Sequence, residues 1–363
     1  MIHLKFEKRL EQSRYSFVGV LVLSIVLALL FGALLLAYAG ANPFVAYAEM
    51  AKSAFYSDWK ETLVKATPLI FTGLSVTVAF RMRFWNIGAE GQLVVGGLAA
   101  AGAALFLPEI VTLPESPWVW IPIMMTASIL AGALWALIPA LLKAFLGVNE
   151  IITTLMFNYI AIFYYQFLYT DAWKDPAGRG FPGSARIPSF TKLPRFTGRV
   201  HLGIVIAVIA AILIWVIMSK TRQGYEFRLI GENPTAARYA GVNLFRNIIL
   251  VMILSGGMAG LAGFSEISGV SFKLQQGLAV GYGFTGIIVA WLARLNPFGV
   301  ILVALLLAGL LVGGDELQMS MQLPAAVGEV LQGMILLFVL GADIFTRYRL
   351  RVVQPPVALT SGD

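Results

Sequence analysis

Apolar residues fall in ten long runs separated by short polar stretches, and this alternation dominates the chain. The runs lie at about 17–39, 62–80, 86–107, 118–142, 151–170, 201–218, 247–265, 281–293, 298–313 and 324–342. Most approach the ~20 residues that a helix needs to cross a hydrocarbon core of ~30 Å. The pattern predicts an all-α, polytopic membrane protein of about ten transmembrane helices. It forms one membrane-spanning domain: a tail over 1–16, a first half over 17–200, a second half over 201–350 and a tail over 351–363. The first run follows Lys5, Lys8, Arg9 and Arg14 and is full length, so it reads as a retained span rather than a cleaved signal peptide.

Five runs per half place the second half in the membrane inverted relative to the first. Under that pairing the third run corresponds to the eighth, and both open on glycines: Gly88, Gly91, Gly96 and Gly97 in one, Gly277, Gly281, Gly283 and Gly286 in the other. The eighth is also short, 13 residues rising only ~20 Å. Short or glycine-broken segments at matching places in inverted halves point to a translocation site.

With ten spans and both ends inside, sixteen of the 26 Lys and Arg residues fall on the cytoplasmic side and ten outside, the sign that the positive-inside tendency requires. The stretch 171–200 runs against it. It carries Lys174, Arg179, Arg186, Lys192, Arg195 and Arg199 against Asp171 and Asp175, yet the count places it outside. A docking surface for an acidic external protein reconciles the two, with Arg179, Arg186 and Arg195 as its contacts.

The polar segment 220–246 interrupts the second half. Asn233 can cap a short helix, Pro234 suits its first position, and Gly241 can end it in a left-handed conformation. Either a plain connecting loop or a docking knob for another protein fits this pattern.

Composition narrows the function. Residues are 59% hydrophobic and 12% charged, against ~25% charged in soluble domains. Cysteine is absent, and the two histidines, His3 and His201, are far apart, so no metal or thiol chemistry is expected. No phosphate-binding loop of the Gly-x-x-x-x-Gly-Lys-Ser/Thr type occurs, so no ATPase site is expected in this chain. The net charge of +7 belongs to cytoplasmic loops, and no nucleic-acid partner is expected.

Several motifs carry a resemblance. Gly231-Glu232-Asn233-Pro234 with Ala236-Ala237-Arg238-Tyr239-Ala240-Gly241-Val242 resembles the coupling segment of ATP-binding cassette import permeases for branched-chain amino acids, monosaccharides and nucleosides. Asn86-Ile87-Gly88-Ala89-Glu90-Gly91-Gln92 is similar to the signature of the nucleoside and simple-sugar branch. Gly147 to Ile152, Asn158 to Ala161 and Gly281 to Ile287 fit the same branch. The resemblance implies the membrane-spanning subunit of an ATP-driven importer, for a nucleoside or alternatively a simple sugar, in the cytoplasmic membrane of a prokaryote. It implies separate cytoplasmic ATPase subunits that bring the ATP, a second and homologous permease subunit, an external substrate-binding protein, no cofactor of the chain's own and no enzymatic activity. Gly231, Asn233, Pro234, Ala237, Arg238 and Gly241 would then couple to the ATPase.

Candidate pathway residues are Asn86, Glu90, Gln92, Asn158, Tyr159, Gly281 and Phe284. Asn86 and Glu90 also read as a cap and a dipole partner for the third run, whereas Asn158 sits mid-span, where an amide needs a partner and faces the interior. Glu266 and Glu329 lie near span ends, where a gating or interface role fits better than a proton relay. An ion-coupled secondary transporter acting without an ATPase is the rival reading; it leaves the 231–242 pattern without a purpose.

Overall fold

The computed structural model describes residues 3–8, 14–178, 180–323 and 326–353. Among the described residues a helix covers most of each of the ten apolar runs. They correspond to α1 (Arg14–Tyr38), α3 (Trp59–Arg81), α4 (Ala89–Ile110), α5 (Pro117–Leu146), α6 (Glu150–Phe167), α7 (Gly203–Lys220), α10 (Leu244–Glu266), α11 (Tyr282–Leu292), α12 (Pro297–Met321) and α13 (Ala326–Arg347). Between them lie α2 (Pro43–Lys52), α8 (Arg222–Glu232) and α9 (Pro234–Tyr239). Short strands β1 (His3–Lys8) and β4 (Tyr348–Val353) pair antiparallel, as do β2 (Arg195–Thr197) and β3 (Val200–His201). Among the described residues seven helices are long and apolar enough to span a membrane by themselves.

Packing divides the chain into two units, residues 1–53 with 310–363 and residues 54–309. In the first, Gly40 takes φ +83°, and the apolar segment Val22–Tyr38 breaks by 113° into a second one over Pro43–Ser57. Asn42 caps α2 by accepting from Phe44 N at 3.0 Å, and Tyr47 donates across the bend to the Leu29 carbonyl at 2.7 Å. Leu36, Ala46, Met50, Leu317, Val327 and Leu331 form its core. The apolar pattern predicts α1 but not α2, which lies between the first two runs.

In the second unit α10 is the hub, packed on α3, α4 and α5. Its small residues let backbones touch, which is how helices gain contact where lipid tails compete for apolar surface. A Cβ on Gly260 would collide with the Ser128 carbonyl of α5, and one on Gly96 of α4 would collide with the Gly260 backbone. Ser128 Oγ donates to the Gly96 carbonyl at 2.7 Å, joining α4 to α5 where they flank α10. A Cβ on Gly263 would meet Leu93 O and Gly97 of α4. Nearly all of α3 from Val64 to Phe80 is buried, as befits a helix surrounded by α7, α10 and α11.

The stretch 171–200 is folded onto the segment after α10. Leu193 N donates to Ser268 O, Ile187 N to Phe272 O and Ser184 N to Leu274 O, all at 2.9 Å. His201 is buried and accepts from Gly203 N at 3.1 Å.

The α10 contacts predict an ordered set of glycine substitutions. Gly260→Ala places a methyl against fixed backbone and is expected to cost about 1–3 kcal/mol. Gly333→Ala in α13 meets nothing within 4 Å and is expected to be neutral or stabilising by up to about 1 kcal/mol. Thermal unfolding of the purified protein in detergent checks the order; equal midpoints for the two variants would contradict it.

Candidate functional site

The polar residues of the 86–92 motif are all inside the protein: Asn86, Glu90 and Gln92 are at most 1% exposed. Asn86 Oδ1 accepts from Gly88 N at 2.9 Å, folding the chain into the start of α4. Its amide donates to Ser255 Oγ of α10 at 2.9 Å and to Gln92 Oε1 at 3.0 Å. Gln92 Nε2 donates back to Asn86 Oδ1 at 3.1 Å. Ser255 Oγ in turn donates to the Ser75 carbonyl of α3 at 2.8 Å. The motif therefore ties α3, α4 and α10 together at one level.

Asn158 of α6 is 1% exposed and serves the same end of α4. Its Oδ1 accepts from Gly91 N at 2.8 Å, and its amide donates to the Ile87 carbonyl at 2.8 Å. Thr154, one turn earlier, accepts from Ile87 N at 3.2 Å. Gly91 lies against the Asn158 backbone with no room for a Cβ. The start of α4 is thus joined to the first half of α6 by side chains satisfying main-chain groups that a helix start leaves unpaired.

Glu90 reaches α11. One side-chain oxygen accepts from Gly281 N at 2.8 Å and the other from Gly283 N at 2.6 Å. Gly281 has φ +89°, a conformation that suits only glycine without strain. Gly283 packs against the backbone of Ala89 and Glu90, where a Cβ would collide. Thr72 of α3 adds a hydrogen bond to the Tyr282 carbonyl at 3.0 Å. The two glycine-rich helix starts, which the sequence pairs only by analogy of position, meet face to face.

Two candidate pathway residues lie elsewhere. Tyr159 is 50% exposed on the outer side of α6, and Phe284 is 39% exposed on α11. Glu266 is buried at the end of α10, whereas Glu329 is exposed.

The 220–246 segment forms α8 and α9. Asn233 Oδ1 accepts from Thr235 N at 3.0 Å and Ala236 N at 3.1 Å, with Pro234 in the first turn. Gly241 closes α9 at φ +77°, and Val242 N returns to the Ala237 carbonyl at 3.0 Å. Ala237 is buried, Gly231 abuts the Arg81 carbonyl, and Arg238 and Tyr239 project outward. Glu226 anchors α8 to α10: Asn247 Nδ2 donates to it at 2.9 Å and Arg222 Nε at 2.8 Å, holding its carboxyl below the usual carboxylate range.

Of the three arginines expected to dock an external protein, Arg186 is exposed and Arg179 lies outside the described residues. Arg195 is exposed but rests over the Phe272 ring at 5.0 Å. Arg199 pairs with Glu61 at 3.0 Å. Among the described residues no group of three His, Asp or Glu is placed to hold a metal ion.

Sequence reasoning missed Ser75, Thr154 and Ser255, whose hydroxyls look unremarkable within apolar runs. Their one visible signal is that each is a polar residue on an otherwise buried helix face. From this network Asn158→Leu is expected to leave the Gly91 N–H and Ile87 carbonyl buried without partners, at about 1–3 kcal/mol each. Folded yield and activity should then fall together, measured by size-exclusion profile and uptake. Normal folded yield with lost uptake would instead place Asn158 on the solute's path.

Residues 60–340 match the sequence profile of the branched-chain amino acid transport system / permease component family. The chain is 34% identical over 384 aligned positions to a glucose ABC transporter permease protein of Haloferax volcanii, covering 100% of this chain and 99% of that relative. It is 35% identical to a guanosine ABC transporter permease protein of Bacillus subtilis, covering 90% and 94% of the two chains. With a nucleoside ABC transporter permease protein of Lactococcus lactis the identity is 31%, over 88% and 89%. A profile spanning most of the chain, relatives matched nearly end to end, and apolar helices of spanning length lead to one conclusion. The chain belongs to the family of permease components of branched-chain amino acid transport systems.

Proposed function

We propose that the chain is the permease subunit of an ATP-driven importer that carries a nucleoside. The observation that carries the solute is the identity of 35% and 31% to permeases named for guanosine and nucleosides, each along about nine-tenths of this chain. The 34% identity to a glucose permease supports a sugar as the second reading, and a sugar ring is the chemistry that the two solutes share.

Coupling rests on α9. A six-residue helix that buries only Ala237 and offers Arg238 and Tyr239 outward suits insertion into a cleft on an ATPase subunit. Arg186 and Arg195 suit the approach of an acidic external binding protein, steered by charge. The pathway follows the exposed faces of α6 and α11, along Tyr159 and Phe284, at an interface with a second permease subunit. Asn86, Glu90, Gln92, Asn158 and Gly281 then position that wall rather than touch the solute, because their polar groups already hold protein partners. The chain itself performs no ATP hydrolysis; a partner subunit does.

Uptake of radiolabelled guanosine and glucose by cells with and without the chain tests the reading. Guanosine uptake is expected to require the chain and to collapse when ATP is depleted while the ion gradients are held. Uptake of glucose alone would move the solute to the sugar reading, and uptake surviving ATP depletion would favour the ion-coupled carrier. In the same assay Arg238→Glu should abolish uptake while membrane insertion stays normal; wild-type uptake by that variant would remove α9 from coupling.

A further inference from the structure

A pocket of about 280 Å³ lies where the end of α3, the end of α8 and the turn after α11 converge. Arg81, Arg83 and Arg228 line it with Glu232, so its walls carry a formal surplus of two positive charges. Phe80 and Leu295 complete the lining and make one side apolar. Of its lining residues only Gly231 is among those expected to couple to the ATPase, and the three arginines have no part in the transport reading.

Two of the lining residues sit in a seldom used backbone conformation. Arg83 takes φ +56° and Leu295 φ +55°, left-handed conformations that L residues seldom adopt. Arg228 Nη1 donates to the Met218 carbonyl at 2.5 Å, which fixes the position of its guanidinium. Gly231 packs on the Arg81 carbonyl so closely that a Cβ would not fit, which keeps α8 against the end of α3. Guanidinium groups gathered in a cleft match the oxygens of a phosphate group, with planar forks of N–H donors.

The level of the pocket in the membrane is marked independently. The Phe80 and Trp85 ring centres lie 4.9 Å apart in a tilted arrangement, and those of Trp85 and Trp291 6.0 Å apart, with Trp85 41% exposed. Tryptophans of this kind sit at the headgroup level of a bilayer. Arg81 is the last residue of a spanning helix and Leu295 follows the last turn of α11. A basic, half-apolar pocket at that depth has the composition of a lipid-headgroup site.

We propose that this pocket holds a phosphate group, carried by an anionic lipid of the leaflet on the side of α8 and α9. The phosphate meets the three guanidiniums, and the glycerol and upper acyl carbons lie along Phe80 and Leu295. Glu232 disfavours headgroups with added negative charge, so a singly charged lipid such as phosphatidylglycerol fits best. A lipid seated there joins α3, α8 and the α11 turn, so its binding bears on how firmly the coupling segment is held.

Native mass spectrometry of the full chain released from detergent tests this, with phosphatidylglycerol, phosphatidylcholine and inorganic phosphate offered separately. Phosphatidylglycerol is expected to be retained about ten-fold more than phosphatidylcholine. Arg83→Gln, at an exposed position, should lower that retention about five-fold, and Arg83→Lys should restore most of it. Thermal unfolding confirms that both variants are folded, so a loss of binding is not a loss of structure. Retention of inorganic phosphate without phosphatidylglycerol keeps the phosphate site and assigns it a soluble occupant. Equal retention of the two lipids without phosphate binding, or phosphatidylglycerol retention unchanged by Arg83→Gln, overturns the proposal.

Discussion

The second unit depends on the contact between Glu90 and the first N–H groups of α11. A hydrocarbon environment offers backbone no water, and each unpaired N–H there costs several kcal/mol. An 11-residue helix rises only ~16 Å, so α11 must begin inside the membrane's thickness rather than at its surface. Its opening N–H groups would be orphaned without a partner. Glu90 supplies both oxygens, to Gly281 and Gly283, from a helix whose own start is completed by Asn86, Asn158 and Thr154. A helix as short as α11 thus remains possible in a membrane because its beginning is enclosed by protein.

Close backbone contact is the other half of the arrangement. Gly283 against Ala89 and Glu90, Gly286 against Thr72, and Gly263 against Leu93 leave no space for a methyl group. Such contacts set the distance at which the hydrogen bonds work, and a shift of one helix would break several together. The region around α3, α4, α10 and α11 is therefore tied together by contacts that depend on one another. By contrast, α9 buries little more than Ala237, and its helical form rests on the Asn233 cap and the Gly241 turn.

Much of this was legible in the chain. The ten apolar runs became helices because length and hydrophobicity leave a membrane segment few alternatives, and Asn233-Pro234 with Gly241 spelled out both ends of α9. The eighth run read as short, and α11 has 11 residues. What the sequence could not show were partners far away in number: the Glu90 contact spans more than 190 positions, and the Asn86–Ser255 contact nearly 170. Position and polarity marked Asn86, Glu90, Gln92 and Asn158 as unusual, but those features are shared by residues that touch a solute and by residues that complete a helix start. The 171–200 stretch read as a basic docking surface, and the bonds from the N–H groups of Ser184, Ile187 and Leu193 to the Leu274, Phe272 and Ser268 carbonyls are main-chain ones, which leave no trace in residue type. The α1–α2 bend escaped for a similar reason, since Gly40 and Asn42 are ordinary turn residues between two unequal segments.

The most direct test of the account is hydrogen–deuterium exchange at the Gly281 and Gly283 amides in the detergent-solubilised chain at neutral pH. If Glu90 holds the start of α11, peptides covering 279–286 exchange as slowly as those from the middle of α10, and Glu90→Gln, which offers one acceptor oxygen instead of two, speeds them. Exchange in the wild type as fast as that of the exposed α9 amides would contradict the claim that these two helix starts are pinned together.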